Sequence, residues 1–255
     1  MSNLYFKVYF NKYSYFRNIQ LTTQQYNLLQ GHSKVSNYNS TDLILDDDYF
    51  DKRSLVSDEA RYTIEIKNNI CSKLELLKDF KPIEENENIV LLLESPHRSE
   101  YRNIKIYNRL IPIGPAQGGS VKEAGGAIKN YINRIINYII LQNSINLNDG
   151  NYNFIIMNPI QFQTSLGSIY TGRLQVGLRD KIWTNIWTIQ DSNGVYILQK
   201  DFENRLKGYK PKLVINSCTD NLKGNVRNLL NNNFSSYDMK HPANNWYNMA
   251  KQNII

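Results

Sequence analysis

Residues 89–101 read IVLLLESPHRSEY. Five apolar residues run straight into Glu94, Ser95, Pro96 and His97, with Arg98 and Glu100 close behind. An uninterrupted apolar run bounded by turn residues is the pattern of a strand buried on both faces. Such runs return at 154–157 and 213–215, and a short fourth strand is read at 237–239. Helical patterns fall between these runs, at 121–141, 174–189, 200–206 and 220–230, and a last one follows HPANNW. Apolar strands alternating with helices predict an α/β fold, three-layer α/β/α, around a central and mostly parallel four-stranded sheet.

Before residue 83 the pattern differs. Residues 1–57 are tyrosine-rich and polar, with an acidic patch at 46–48, and are expected to form irregular strands and loops. Tyr62, Ile64, Ile66, Ile70, Leu74, Leu76 and Leu77 suggest a helix over 58–80, and KPIEENEN then makes a linker. The expected division is an N-terminal extension, residues 1–82, packed on a main domain of residues 83–255.

The 255 residues, 41% of them hydrophobic, suffice for one sizeable core. The formal charge of +7 and the pI near 9.2 suit a polyanionic partner, as nucleic-acid binders commonly do. No apolar run approaches the roughly 18 residues of a membrane helix. The first residues, MSNLYFKVYF, lack the charged start and apolar block of a signal peptide, so a cytoplasmic location is expected. Cys71 and Cys218 make neither a disulfide framework nor a CxxC pair, and both are expected as reduced thiols.

In parallel sheets, ligands bind beyond the carboxyl ends of the strands. The residues leaving those ends here are Glu94-Ser95-Pro96-His97, Asn158-Pro159, Asn216-Ser217 and Lys240-His241-Pro242. Asn and Pro also punctuate turns for purely local reasons. Four such turns at one edge, holding two of the three histidines, weigh toward a site.

The ordered set resembles the motifs of the uracil-DNA glycosylase superfamily, in particular the branch that reads GEAPGxxE. In LESPHRSE, Glu94, Ser95, Pro96 and Glu100 fall at that motif's E, A, P and final E. GGSVKEAGGAIKNYI resembles the branch's RPFVGxAGxLL, with Ala124 and Gly125 at the AG. FIIMNPIQF resembles the strand-to-loop motif whose asparagine reads the pyrimidine edge, making Asn158 its counterpart. MKHPANN resembles the closing HPS motif, with His241 and Pro242 at its first two positions. The likeness covers residues 89–250 or so, in order.

What the resemblance implies is a monofunctional glycosylase that flips a base from DNA, double-stranded or transiently single-stranded, and leaves an abasic site. Glu94, Asn158, His241 and Ser95 would be its catalytic residues. His241 would donate to the departing base, Asn158 would pair with its polar edge, and Glu94 would position water or stabilise the sugar cation. Pro96, His97, Glu100, Gly118, Gly119, Ser120, Pro159 and Ser217 would line the substrate site. Arg98, Arg102, Lys105, Lys240, Asn244, Asn245 and Trp246 would face DNA. No cofactor is expected, because two cysteines cannot hold the four-cysteine iron–sulfur cluster that the GEAPG branch often carries. A monomer is expected.

Several positions depart from the family pattern. Ser95 stands where the best-known uracil enzymes carry a water-activating Asp. Ser120 stands near their base-stacking phenylalanine. A smaller residue there leaves room for a bulky base, such as a hypermodified cytosine of phage DNA, and so favours a defence enzyme over uracil repair. Simpler alternatives stand beside several of these assignments: His97 as a surface turn residue, Glu100 and the Arg98–Arg109 stretch as solvated loop, Trp246 as a buried helix anchor. Trp183 and Trp187, four apart on a helix, are expected in the core. A binder of nucleic acid without catalysis is the competing class; a nucleotide-phosphate hydrolase is weaker, since no Walker loop is present.

Overall fold

The computed structural model describes residues 2–104, 109–143, 145–166, 169, 174–231 and 233–255. The chain begins with a hairpin of β1 (Ser2–Phe10) and β2 (Tyr13–Leu21), then α1 (Thr23–Leu29) and the short strands β3 (Val35–Asn37) and β4 (Leu43–Leu45). A second hairpin, β5 (Glu59–Lys67) and β6 (Ile70–Leu76), precedes β7 (Glu87–Leu92). Then come β8 (Tyr101–Ile104), β9 (Arg109–Pro112), α2 (Ala124–Asn143), β10 (Gly150–Met157), α3 (Leu174–Trp187) and α4 (Ile197–Tyr209). β11 (Leu213–Asn216), α5 (Asp220–Leu230), β12 (Ser236–Asp238) and α6 (Pro242–Lys251) complete the order. The elements divide into two compact units of interleaved segments. Residues 1–56, 95–113 and 160–202 form one; residues 57–94, 114–159 and 203–255 form the other.

The first unit holds a four-stranded sheet in the order β2-β1-β4-β3. Leu4, Phe6, Val8 and Phe10 alternate inward along β1, and β1 pairs with β2 from Ser2↔Leu21 to Phe10↔Tyr13. The N-terminal residues are therefore more regular than expected, because tyrosines on the open face conceal a strict two-residue period. Trp183 and Trp187 stack at 4.8 Å on α3, both buried, as expected for core residues.

The second unit holds a six-stranded sheet in the order β12-β11-β7-β10-β5-β6. The fold is α/β as expected, and β12, β11, β7 and β10 are mutually parallel, but the sheet has six strands rather than four. Ile89, Val90, Leu91 and Leu92 on β7 are wholly buried, so both faces of the sheet are covered at this strand. Ile128, Ile132, Ile135 and Ile139 of α2, at helical spacing, and Trp246 of α6 share one core cluster with Ile89, Leu91, Phe154 and Ile156.

The helix expected over 58–80 is the β5–β6 hairpin. Ala60, Tyr62, Ile64 and Ile66 are buried at a spacing of two, and β5 pairs antiparallel with both β10 and β6. This hairpin belongs to the same sheet as β7, so residue 82 is not a boundary in that sheet. Asn68 and Asn69 join the strands with φ of 53° and 60°, the left-handed pair that a tight hairpin turn requires. Replacing Asn69 by Ala is expected to lower stability by about 1–2 kcal/mol, because a Cβ without a compensating amide strains that region, whereas Asn69→Gly is expected to be neutral or better. Urea denaturation of the two variants checks this.

Candidate active site at the strand ends

Four parallel strands in register end level with one another. Leu92 of β7 pairs with Met157 of β10 and with Asn216 of β11, and Asn216 pairs with Asp238 of β12. Asn158 and Ser217 follow directly, Glu94 comes two residues after Leu92 and His241 three after Asp238, so four chemically capable side chains leave one edge of the sheet on strands about 4.8 Å apart. Glu94 is buried, and its Oε2 lies 3.5 Å from His241 Nε2. That separation is longer than a good hydrogen bond, and it brings a carboxylate and an imidazole to the same place.

His241 is oriented from its other nitrogen. It is the N-cap of α6, with Pro242 in the first turn, and its Nδ1 accepts the N–H of Ala243 at 3.3 Å. An accepting Nδ1 leaves the ring proton on Nε2, so the atom facing Glu94 is a donor. The loop itself is fastened from behind. Trp246 Nε1 donates to the Lys240 carbonyl at 2.8 Å, and Asn245 Nδ2 to the His241 carbonyl at 2.9 Å. Buried Lys223 donates to the Met239 carbonyl at 2.7 Å and to Asp220 at 3.2 Å. Exposed Lys240 reaches the same carboxylate at 3.0 Å. The hydrogen bonds from Lys240 and then Lys223 hold the Asp220 carboxyl below its ordinary range.

Three asparagines are buried among the described residues, and two have their amides fully used. Asn153 exchanges bonds with Ile83 at both ends of its amide, 2.9 Å each, and with Asn88. Asn216 donates to Asp238 at 2.9 Å and accepts from the Cys218 N–H at 3.4 Å. Asn158 is different: 1% exposed, it has no hydrogen-bond partner on Nδ2 or Oδ1. Ser217 Oγ, which follows β11 on the other side of β7, is likewise buried and unpartnered. Each buried orphan costs about 1–3 kcal/mol, which a ligand bearing both donors and acceptors would recover.

The remaining expected residues are distributed as follows. Pro159 is buried, with its carbonyl accepting from Arg205 at 3.3 Å. Trp246 is wholly buried in the core, so it is a helix anchor rather than a DNA contact. Gly118, Gly119 and Ser120 lie exposed on the loop before α2, and the Ser120 N–H donates to Glu123 at 3.0 Å. The following Gly125 and Gly126 have a packing reason: a Cβ on either would strike the carbonyls of Ala116 or Ser120. The side chain of Asn244 lies outside the described residues, as does Lys105.

Ser95, Pro96, His97 and Glu100 belong to the first unit. There Ser95 Oγ lies 2.8 Å from Thr164 Oγ1, and Pro96 is buried. His97 is exposed and caps a short 3-10 turn through Nδ1, which matches the surface-turn alternative. Glu100 is buried, not solvated, and next to it Tyr101 donates to the Ser54 carbonyl at 3.0 Å. Burial, and secondarily Glu100, pushes the Tyr101 hydroxyl well above its usual range. Arg98 and Arg102 are exposed.

Sequence reasoning assigned no role to Lys223, Asp58 or Arg205. It also gave no weight to Cys218 beyond a reduced thiol. That thiol is fully buried, and burial with the nearby Glu94 charge pushes it well above its ordinary value; burial pushes Cys71 up to about 12. Both cysteines should resist Ellman's reagent at pH 8 in the folded protein and react once it is unfolded. Because the unfolded chain releases these protons near pH 9 and the fold retains them, stability should fall as pH rises from 8 to 10. Urea midpoints at the two pH values read this directly. Comparisons with protein-family models, with curated proteins and with solved structures return no match.

Proposed function

We propose that this protein is a monofunctional DNA glycosylase of uracil-DNA glycosylase type, its four parallel strands forming the centre of a three-layer domain of that kind. The observation that carries the reading is the buried and unpartnered amide of Asn158, at the same sheet edge as Glu94 and His241. A flipped pyrimidine presents an edge of adjacent donor and acceptor, and a side-chain amide complements either order by rotating through half a turn. His241 Nε2–H donates to the base oxygen where negative charge gathers as the N-glycosidic bond breaks. Glu94, a carboxylate at the same mouth, stabilises the oxocarbenium-like sugar and orients the water that adds to it. The bond electrons leave with the base; water supplies hydroxide to the sugar and a proton to the base, giving an abasic site.

The small residue Ser120 in place of a stacking ring favours a bulky substrate, a hypermodified cytosine of phage DNA, and hence a role in antiviral defence. Uracil excision in repair is the alternative substrate within the same chemistry. Basic exposed Arg98, Arg102 and Lys240 and the +7 charge suit the phosphate backbone.

The deciding experiment is base release from DNAs containing uracil, hydroxymethylcytosine, glucosylated hydroxymethylcytosine or cytosine. Alkali-labile sites are expected on one substrate. His241→Ala should lower that rate by about a hundredfold or more, as loss of a charge-stabilising donor typically does. DNA binding without base release from any substrate would leave the non-catalytic binder.

A further inference from the structure

The geometry points to Arg205 as the residue that positions Asn158, acting through the backbone of the loop that carries it. This inference rests on the reading of Asn158 as the base-recognising group. Arg205, on α4, places Nη2 3.2 Å from the carbonyl oxygen of Asn158 and 3.3 Å from that of Pro159. Its Nη1 donates to both carboxylate oxygens of Asp58, each at 2.8 Å. The Asp58 side chain is 3% exposed, and a charge so buried is stable only when paired. The carboxylate fixes the plane of the guanidinium, whose rigid fork then fixes the direction in which Nη2 points.

The peptide that Nη2 grips has one hydrogen-bonding handle. Residue 159 is proline, so the group joining Asn158 to Pro159 has a carbonyl but no N–H. Arg205 takes that carbonyl and the next one, and two successive carbonyls on one nitrogen define the turn. The Asn158 side chain makes no bond that could orient it from its own end. Its direction is therefore inherited from the backbone, and the backbone is held by Arg205. A buried ion pair adds little to stability against an apolar replacement, but it suits a part whose task is placement.

Arg205→Lys keeps the positive charge facing Asp58 and loses the fork. Its melting temperature is expected to stay close to that of the parent protein while kcat for base release falls by about tenfold or more, with KM for DNA little changed. In an Asn158→Ala background the same substitution should cost less than about threefold, because a residue that acts through Asn158 has nothing left to position. Equal losses in both backgrounds would overturn the inference. Lys207→Ala, at an exposed pair with Glu203 on the same helix, serves as control. If Arg205→Lys does not fold, Asp58→Asn, which keeps the guanidinium and weakens its lock, takes its place. If the parent protein releases no base from any DNA, it is the reading of Asn158 that fails. Positioning is then read from the 15N–1H side-chain signals of Asn158, identified by their loss in Asn158→Asp. Those signals should move in Arg205→Lys and stay in Lys207→Ala; unmoved signals in both would overturn it.

Discussion

The parallel, in-register pairing of β12, β11, β7 and β10 is the constraint on which the rest depends. Parallel strands carry their chemistry at one end, and level ends bring residues far apart in sequence into line. Shifting one strand by a single residue would turn its buried side chains to the opposite face. In strands buried on both faces such a shift also breaks every contact with the helix layer. The apolar identity of residues 89–92 and 154–157 thus fixes where Glu94 and Asn158 emerge. A core requirement sets the position of the polar residues.

Much of this was legible in the sequence because continuous apolar runs and prolines are strong local signals. The strand ends at Glu94, Asn158, Ser217 and His241 follow from them. The β5–β6 hairpin did not, and the reason is arithmetical. Tyr62, Ile66, Ile70 and Leu74 recur every fourth residue, while Tyr62, Ile64 and Ile66 recur every second. The two periods coincide over this stretch. Asn68 and Asn69, which the turn holds in left-handed geometry, break the tie only when read as turn residues rather than as polar filler. Arg205 and Asp58 were not legible at all. They lie 147 residues apart, and nothing local distinguishes either from an ordinary surface charge.

The candidate site was legible as residue types and not as a set. Proline after Asn158 and after His241 marked stiff turns, and both turns stand at the sheet edge. Serine and proline after Glu94 looked equally promising, yet Ser95 pairs with Thr164 and His97 caps an exposed turn. Spacing in the chain shows that a loop leaves a strand, but not which of the loop's residues stay at the strand end. Only pairing partners supply that.

Among the asparagines at this sheet edge, bonding differs more sharply than position does. Asn216 and Asn158 both leave parallel strands at the same edge, and both are buried. Asn216 has its amide tied to Asp238 and Cys218, a use that ends in the scaffold. Asn158 has its backbone tied to Arg205 and its amide tied to nothing. His241 repeats that division of labour: Nδ1 is engaged by the helix it caps, its loop is fastened through Trp246 and Lys223, and Nε2–H faces Glu94. Holding a functional group from behind by its backbone or its far nitrogen limits its motion without consuming its bonding capacity. That is what electrostatic preorganisation would require of the proposed site.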